Sequence, residues 1–267
     1  MQNFSEPAFR VKHPGLTMAS LLLGAFVGMF SETSLNIALP KLMIVFHTST
    51  AVLQWLVTGY MLVIGIVLPL SSLIAKWFTT RQIVIFALLD FIIGATISAL
   101  APNFTVLLAG RMIQGIGTGL ILPLMFTIVM PIFPPQKIGS IMGICALVIM
   151  FAPAIGPTLT GLILAKLSWR WIFWSFEIFL VIALCLAVTA LENIGRPTRP
   201  HIDLLSIIES GLGFSGLVIG ASLSSLDGWG SWPVLGSFAV GILVLIAYVI
   251  RQLKLETPIL NLRVLQS

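Results

Sequence analysis

The chain has 267 residues, 58% of them apolar and only 9% charged, with a mean hydropathy of +1.10. A soluble domain carries about 25% charged residues, so a water-soluble enzyme or binding module is excluded by composition. The net charge of +5 would suit a nucleic-acid partner in a soluble protein. Here the basic residues sit mainly in polar breaks between apolar runs, where they set membrane topology, and no nucleic-acid partner is expected.

Eight apolar runs follow in chain order, at 15–38, 51–75, 82–101, 104–130, 138–165, 170–191, 205–226 and 233–250. Each is close to or above the ~20 residues that cross the hydrocarbon layer as a helix. The alternating segments of about ten residues that build an outer-membrane barrel are absent. The expected class is an all-α polytopic membrane protein.

The first run carries Glu32, and the fourth carries Arg111. Ionisable groups inside a membrane are expensive; they face the bundle interior or a wet cavity and often mark a proton or substrate path. Both lie roughly two turns from the outer end of their expected spans, so they can share a depth. An interior Glu32–Arg111 interaction is expected, direct or through water, with Glu32 as the proton-coupling acid. Its proton affinity would follow from lost hydration set against a nearby guanidinium. A static pair pinning two helices is the alternative. Asp90, near the middle of the third run, either competes for Arg111, forms its own proton site or bonds a neighbouring helix. Gln114 shares a helix face with Arg111 and is placed to orient it. Glu177, in the sixth run, is expected to reach toward the outer surface. Glu209 lies near the inner end of the seventh.

Breakers divide the runs. The proline pair in "FPPQK" (133–137) ends the fourth, since proline cannot continue a helix. "GRMIQGIGTG" (110–119) and "FAPAIGPTLTG" (151–161) bring glycines and prolines into mid-span, where small residues allow close helix approach and proline kinks the helix. The polar stretch 192–204 reads as a linker. "DGWGSW" (227–232) reads as a short outer turn.

With both termini in the cytoplasm, the inner segments hold Arg10, Lys12, Lys76, Arg81, Lys137, Arg196, Arg199, Arg251, Lys254 and Arg263. The outer segments hold only Lys41, Lys166 and Arg170, a clear inside bias. Cys145 and Cys185 both lie inside apolar runs with no metal spacing, and read as packing residues. No nucleophile–base arrangement, metal cluster or cofactor loop marks an enzyme, and a proton gradient is the expected energy source.

Four motifs carry a resemblance. Arg111-Met-Ile-Gln114-Gly115-Ile-Gly117 resembles the arginine motif in the fourth helix of major facilitator superfamily transporters. Pro153-Ala-Ile-Gly156-Pro157-Thr-Leu-Thr-Gly161 resembles the fifth-helix antiporter motif of their drug:proton exporters. Thr33-Ser-Leu-Asn36-Ile-Ala38-Leu39-Pro40 and Trp169-Arg170-Trp171-Ile-Phe173 resemble the first-helix signature and the start of helix six in the fourteen-helix drug:proton antiporter branch. The wider text is most similar to the lincomycin-resistance multidrug exporters of that branch.

The resemblance implies a cytoplasmic N-terminus (1–14), a major-facilitator-type six-helix N-terminal bundle (15–191), a linker (192–204), two further transmembrane helices (205–250) and a cytoplasmic tail (251–267), with the chain stopping before a C-terminal bundle. It implies proton-coupled export of small amphipathic drugs across the cytoplasmic membrane. Glu32, Arg111 and Asp90 would handle protons. Gln114, Gly115, Asn36 and Glu177 would line the substrate path or pack helices, and Pro153, Gly156, Pro157 and Gly161 would serve conformational change. Expected partners are a drug, protons, membrane lipid and a C-terminal half-transporter or a second copy. The alternative is a non-transporting truncated protein or a partner in a split transporter.

Three positions depart from the branch. It often has an acid at the position of Ser31, with Glu32 the neighbouring acid here. The loop between helices two and three has Lys76 in place of its usual acid and keeps Arg81, so a charge lock built on that acid is not expected. Phe176-Glu177-Ile178 replaces an Asn-Val-Pro.

Overall fold

A computed structural model describes residues 11–194, 197–198 and 203–255. Nine helices occur among them: α1 (Pro14–Phe46), α2 (Thr50–Leu53), α3 (Trp55–Trp77), α4 (Thr80–Leu100), α5 (Phe104–Ile132), α6 (Pro135–Lys166), α7 (Arg170–Ala190), α8 (Leu204–Asp227) and α9 (Trp232–Lys254). With α2 and α3 counted as one interrupted span, eight are long and apolar enough to cross a membrane. The chain is therefore a multi-pass helical membrane protein. The N-terminal segment 1–10, most of the tail and parts of the 192–204 linker lie outside the described residues.

Local chemistry sets most of the helix ends. Pro135 occupies the first turn of α6, where a missing N–H costs nothing, directly after α5 stops at Ile132. Thr79 and Gln82 form a reciprocal capping box that starts α4. Asn103 caps α5 through the Val106 N–H. One end departs from expectation: α1 runs past Pro40 to Phe46 and closes on His47 at φ 50°. Proline forfeits one backbone bond, but Leu39 and Leu42 beyond the expected stop are buried, and their packing carries the helix through. The mid-helix prolines of α6 likewise leave it continuous from Pro135 to Lys166.

Four helices close a ring: α1 packs on α5 and α7, and α4 completes the circuit between those two. Helix α6 lies along α1, α3 lies along α5, and the α8–α9 hairpin leans on α3. In lipid the helices gain little by hiding apolar surface from one another, so close fit decides the contacts. On the α1–α7 side the fit is aromatic. Rings of Phe46, Trp169, Phe173, Phe176, Phe30 and Phe26 follow one another at 5.4–6.2 Å, mostly edge to face. On the α4–α5 side it is glycine: a β-carbon on Gly94 would stand 2.7 Å from the Gly110 carbonyl oxygen, and one on Gly117 2.5 Å from that of Ala87.

Helices α8 and α9 are clamped at one end. Arg251 donates from Nε and Nη2 to both oxygens of Asp203, at 2.7 and 2.9 Å. Those bonds hold the Asp203 carboxyl well below the usual carboxylate range. Ser206 and Gln252 extend the network. Cys145 is buried as a packing residue should be, whereas Cys185 lies on the exposed face of α7, where lipid is its neighbour.

The two glycine motifs make different demands. A methyl group on Gly117 must push α4 away from α5, whereas Gly161 has nothing within 4 Å of its would-be β-carbon. Gly117→Ala should lower unfolding free energy in detergent by about 1–3 kcal/mol. Gly161→Ala should leave it unchanged or slightly raised. Equal melting behaviour for the two variants would contradict the glycine-fitted contact.

Candidate functional site: a buried guanidinium

The candidate site lies where α5 meets α1 and α3, and Arg111 of α5 is fully buried there. Its Nη1 donates to the Ser31 hydroxyl of α1 and to Gln114 Oε1, the latter at 2.7 Å. Its Nε donates to the Leu56 carbonyl of α3 at 3.3 Å. The guanidinium carbon sits 3.9 Å from the centre of the Tyr60 ring, a cation–π contact. Nη2 has no hydrogen-bond partner among the described residues. The cage is thus built from a hydroxyl, an amide, a carbonyl and a ring face, and among the described residues no carboxylate is hydrogen-bonded to the cation.

The cage walls are fixed in turn. Ser31 donates to Gln114 Oε1 at 3.3 Å, and Gln114 Nε2 donates to Ser98 of α4 at 3.1 Å. The Tyr60 hydroxyl donates to the Gly28 carbonyl at 2.9 Å and meets the Thr118 hydroxyl at 2.8 Å. A β-carbon on Gly115 would meet the Tyr60 carbonyl oxygen at 2.9 Å, so its absence lets α3 come this close. Four helices therefore meet through polar groups buried in one small region.

Several expected contacts differ. Glu32 is half-buried and lies within the electrostatic reach of Arg111, but its carboxylate makes no hydrogen bond among the described residues. The α1 residue that touches Arg111 is its neighbour Ser31. Consecutive helical residues point about 100° apart, so the two cannot both face the guanidinium. Glu32 also lies about four turns from the end of α1, because the helix runs on past the expected stop. Asp90 does not compete for Arg111; its Oδ2 accepts the Gly117 backbone N–H at 2.9 Å, a contact open only because Gly117 has no side chain. Glu177 does not reach for the surface; it accepts from the Thr96 hydroxyl of α4 at 2.7 Å. Glu209 is half-buried, with one oxygen buried and without a hydrogen-bond partner among the described residues.

The other expected residues lie apart from the cage. Asn36 is exposed and donates to the Glu32 backbone carbonyl at 3.4 Å. Gly156 lies against Thr33 of α1. Its neighbour Thr160 donates to Ser34 at 2.8 Å, which seats the Pro153–Gly161 stretch on α1. At the α3–α4 turn, the Lys76 carbonyl accepts from Thr198 N–H at 2.9 Å, and Arg81 Nη2 donates to the Val188 carbonyl at 2.6 Å. That carbonyl belongs to the last turn of α7, where a cation is favoured. Leu56, Tyr60, Thr118 and Ser98 escaped the sequence reading, which names Ser31 only as a departure from the branch and not as a partner of Arg111. Tyr60 carried a signal: it is one of two tyrosines, and a mid-span phenol must find a hydrogen-bond partner.

A family model described as Major Facilitator Superfamily matches residues 21–204. The chain belongs to the major facilitator superfamily. Lincomycin resistance protein LmrB of Bacillus subtilis (strain 168) is 51% identical over 248 residues, which is 92% of this chain and 52% of that protein. Its namesake in Listeria innocua serovar 6a is 49% identical over 247 residues, with the same shares covered. The chain spans about half the length of the curated relatives it matches. Among solved structures, the peptide transporter POT in complex with sulfate superimposes with a TM-score of 0.66 at 17% identity, over 93% of this chain and 54% of that one. The human organic anion transporter MFSD10 gives 0.61 at 15%, over 78% and 55%. At such identities these two structures speak for the fold alone. The caged arginine belongs to the fourth long apolar span, α5.

Tyr60→Phe keeps the ring over Arg111 and removes two hydrogen bonds, so it should cost about 1 kcal/mol of stability. Tyr60→Leu also removes the cation–π contact and should cost about 2 kcal/mol more. Thermal unfolding in detergent measures both. A Leu variant no worse than the Phe variant would remove the ring from the cage.

Proposed function

We propose that this chain is the N-terminal portion of a drug:proton antiporter of the cytoplasmic membrane. In this reading both termini are cytoplasmic, 15–191 is the six-helix bundle, 205–250 contributes the two central helices, and a C-terminal half or a second copy completes the carrier. The membership of the superfamily and the similarity to proteins named for lincomycin resistance support it. Small amphipathic drugs are the proposed cargo.

One observation carries the reading: a fully buried guanidinium with no bonded carboxylate, an open Nη2 and a half-buried carboxylate within electrostatic reach. A structural ion pair would satisfy both charges. Here neutral groups engage the Nε and Nη1 of Arg111 instead, and no hydrogen bond engages the Glu32 carboxylate among the described residues. Glu32 then binds and releases the coupled proton, and Arg111 holds a fixed positive field that favours release. A rearrangement that brings Glu32 to Nη2 would expel the proton, and separation would allow reloading. Asp90 and Glu177, both engaged between helices, pin α4 in this scheme. The Pro153–Gly161 stretch on α1 supplies a deformable seam.

The test is dye efflux and proton uptake in vesicles that carry the chain, alone and with a downstream six-helix polypeptide. Gradient-driven efflux is expected in at least one arrangement. Glu32→Gln should reduce proton-coupled transport at least about tenfold, with folding retained. Unchanged coupling in that variant would overturn the assignment of Glu32. Absence of efflux in both arrangements would favour the non-transporting alternative.

A further inference from the structure

Helices α3 and α4 are joined by a short turn yet scarcely touch: α3 leans on α5 and α8, while α4 is drawn onto α5 and α7. A wedge opens between them, floored by α5. Val67, Leu70 and Ile74 of α3, Phe86 of α4, and Ile116 and Leu120 of α5 line an apolar cavity of about 440 Å³. From Val67 to Phe78 it follows roughly 16 Å of helix, about half of a hydrocarbon layer.

A second cavity of about 480 Å³ shares Gln82 and Phe86 with the first and lies at the end that carries the α3–α4 turn. Its polar wall includes Thr79, Arg81, Gln82 and Asn193, and among the described residues no carboxylate lines either cavity. Local hydrogen bonds orient this wall. Gln82 Oε1 accepts from Thr79 N–H, and Asn193 Oδ1 accepts from Arg81 N–H, at 3.0 and 3.4 Å. With both carbonyl oxygens engaged by backbone, each amide is left to present its NH₂ group. Among the described residues the Arg81 guanidinium meets the Val188 carbonyl, and no carboxylate bonds it. Three donor groups therefore gather at the mouth of an oily slot.

We propose that this wedge is a phospholipid site that prefers anionic headgroups. One acyl chain fills the slot, and the phosphate is held by Arg81, Gln82 and Asn193. Water does not stay in an apolar slot at that depth, and a free anion has no use for its walls, so a lipid answers both halves of the site. In the proposed orientation the mouth faces the cytoplasmic leaflet, where anionic lipids attract basic groups. The site shares the orientation proposed above but does not depend on proton coupling or drug export.

The test uses photoactivatable phosphatidylglycerol and phosphatidylcholine of matched acyl chains, on the whole chain in nanodiscs, with cross-links mapped by peptide mass. Labelling is expected to concentrate on the segments that hold Leu70, Ile74 and Phe86, with phosphatidylglycerol favoured about fivefold. Arg81→Gln should bring the two lipids close to parity while slot labelling persists. Leu70→Trp should abolish slot labelling by both lipids, and Ile116→Phe serves as a second filling variant should the first fail to fold. Labelling spread evenly over the lipid-facing helices, or a preference untouched by Arg81→Gln, would overturn the proposal. So would loss of slot labelling on addition of inorganic phosphate, which would mark a simple anion site.

Discussion

A positive charge sealed among neutral partners is the constraint on which the rest of the structure depends. Burying an ion is costly unless its hydrogen-bonding groups are met, and Arg111 meets that cost through a hydroxyl, an amide, a main-chain carbonyl and an aromatic face. None of these groups can neutralise it by proton transfer. The cation is therefore held in place chemically while its charge stays uncompensated by any directly bonded acid. Ser31 is pivotal in this cage: on α1 it is a hydroxyl that contacts the guanidinium. The carboxylate stands one residue on, at Glu32, turned out of the cage.

Such a cage needs helices closer together than ordinary side chains permit. The glycine-fitted contact of α4 with α5 brings Ser98 to Gln114, and Gly115 brings the Tyr60 backbone to α5. On the opposite wall the aromatic ladder between α1 and α7 fixes the helix that carries Ser31 and Glu32. Packing and electrostatics are thus one problem: loosening either wall would leave polar groups of the cage unpaired in a medium that supplies no replacement. Helix α6, most of whose surface is exposed, contributes little to this core.

The spans were plain in the sequence because a membrane helix must satisfy its backbone internally and must be apolar over about 20 residues. Both conditions are written in single residues. The ends were less plain. The first apolar run ends at 38 in the sequence reading, and the burial of Leu39 and Leu42 explains why α1 continues past Pro40. The site was legible to the level of which helices carry charge. Arg111 and Gln114 lie three apart, and their contact followed from helical spacing. The partner on α1 did not follow, because rotating a helix by one residue exchanges Ser31 for Glu32 without changing any run or motif. For Asp90 a bond to a neighbouring helix is one of the readings the sequence leaves open, and the Gly117 N–H provides it. Glu177 is expected from the sequence to reach the outer surface, and its donor on α4, Thr96, is one that no spacing rule reveals. Tyr60 was hidden among apolar neighbours, although its hydroxyl was a clue.

Solid-state NMR on the chain in lipid, with ¹⁵N in the arginine side chains and ¹³C in selected partners, measures the cage most directly. The account predicts dipolar couplings from the Arg111 guanidinium to the Gln114 side-chain carbonyl and the Tyr60 ring, and none of salt-bridge strength to a carboxylate carbon. A strong coupling between Arg111 and Glu32, lost in Glu32→Gln, would show a paired charge and contradict it.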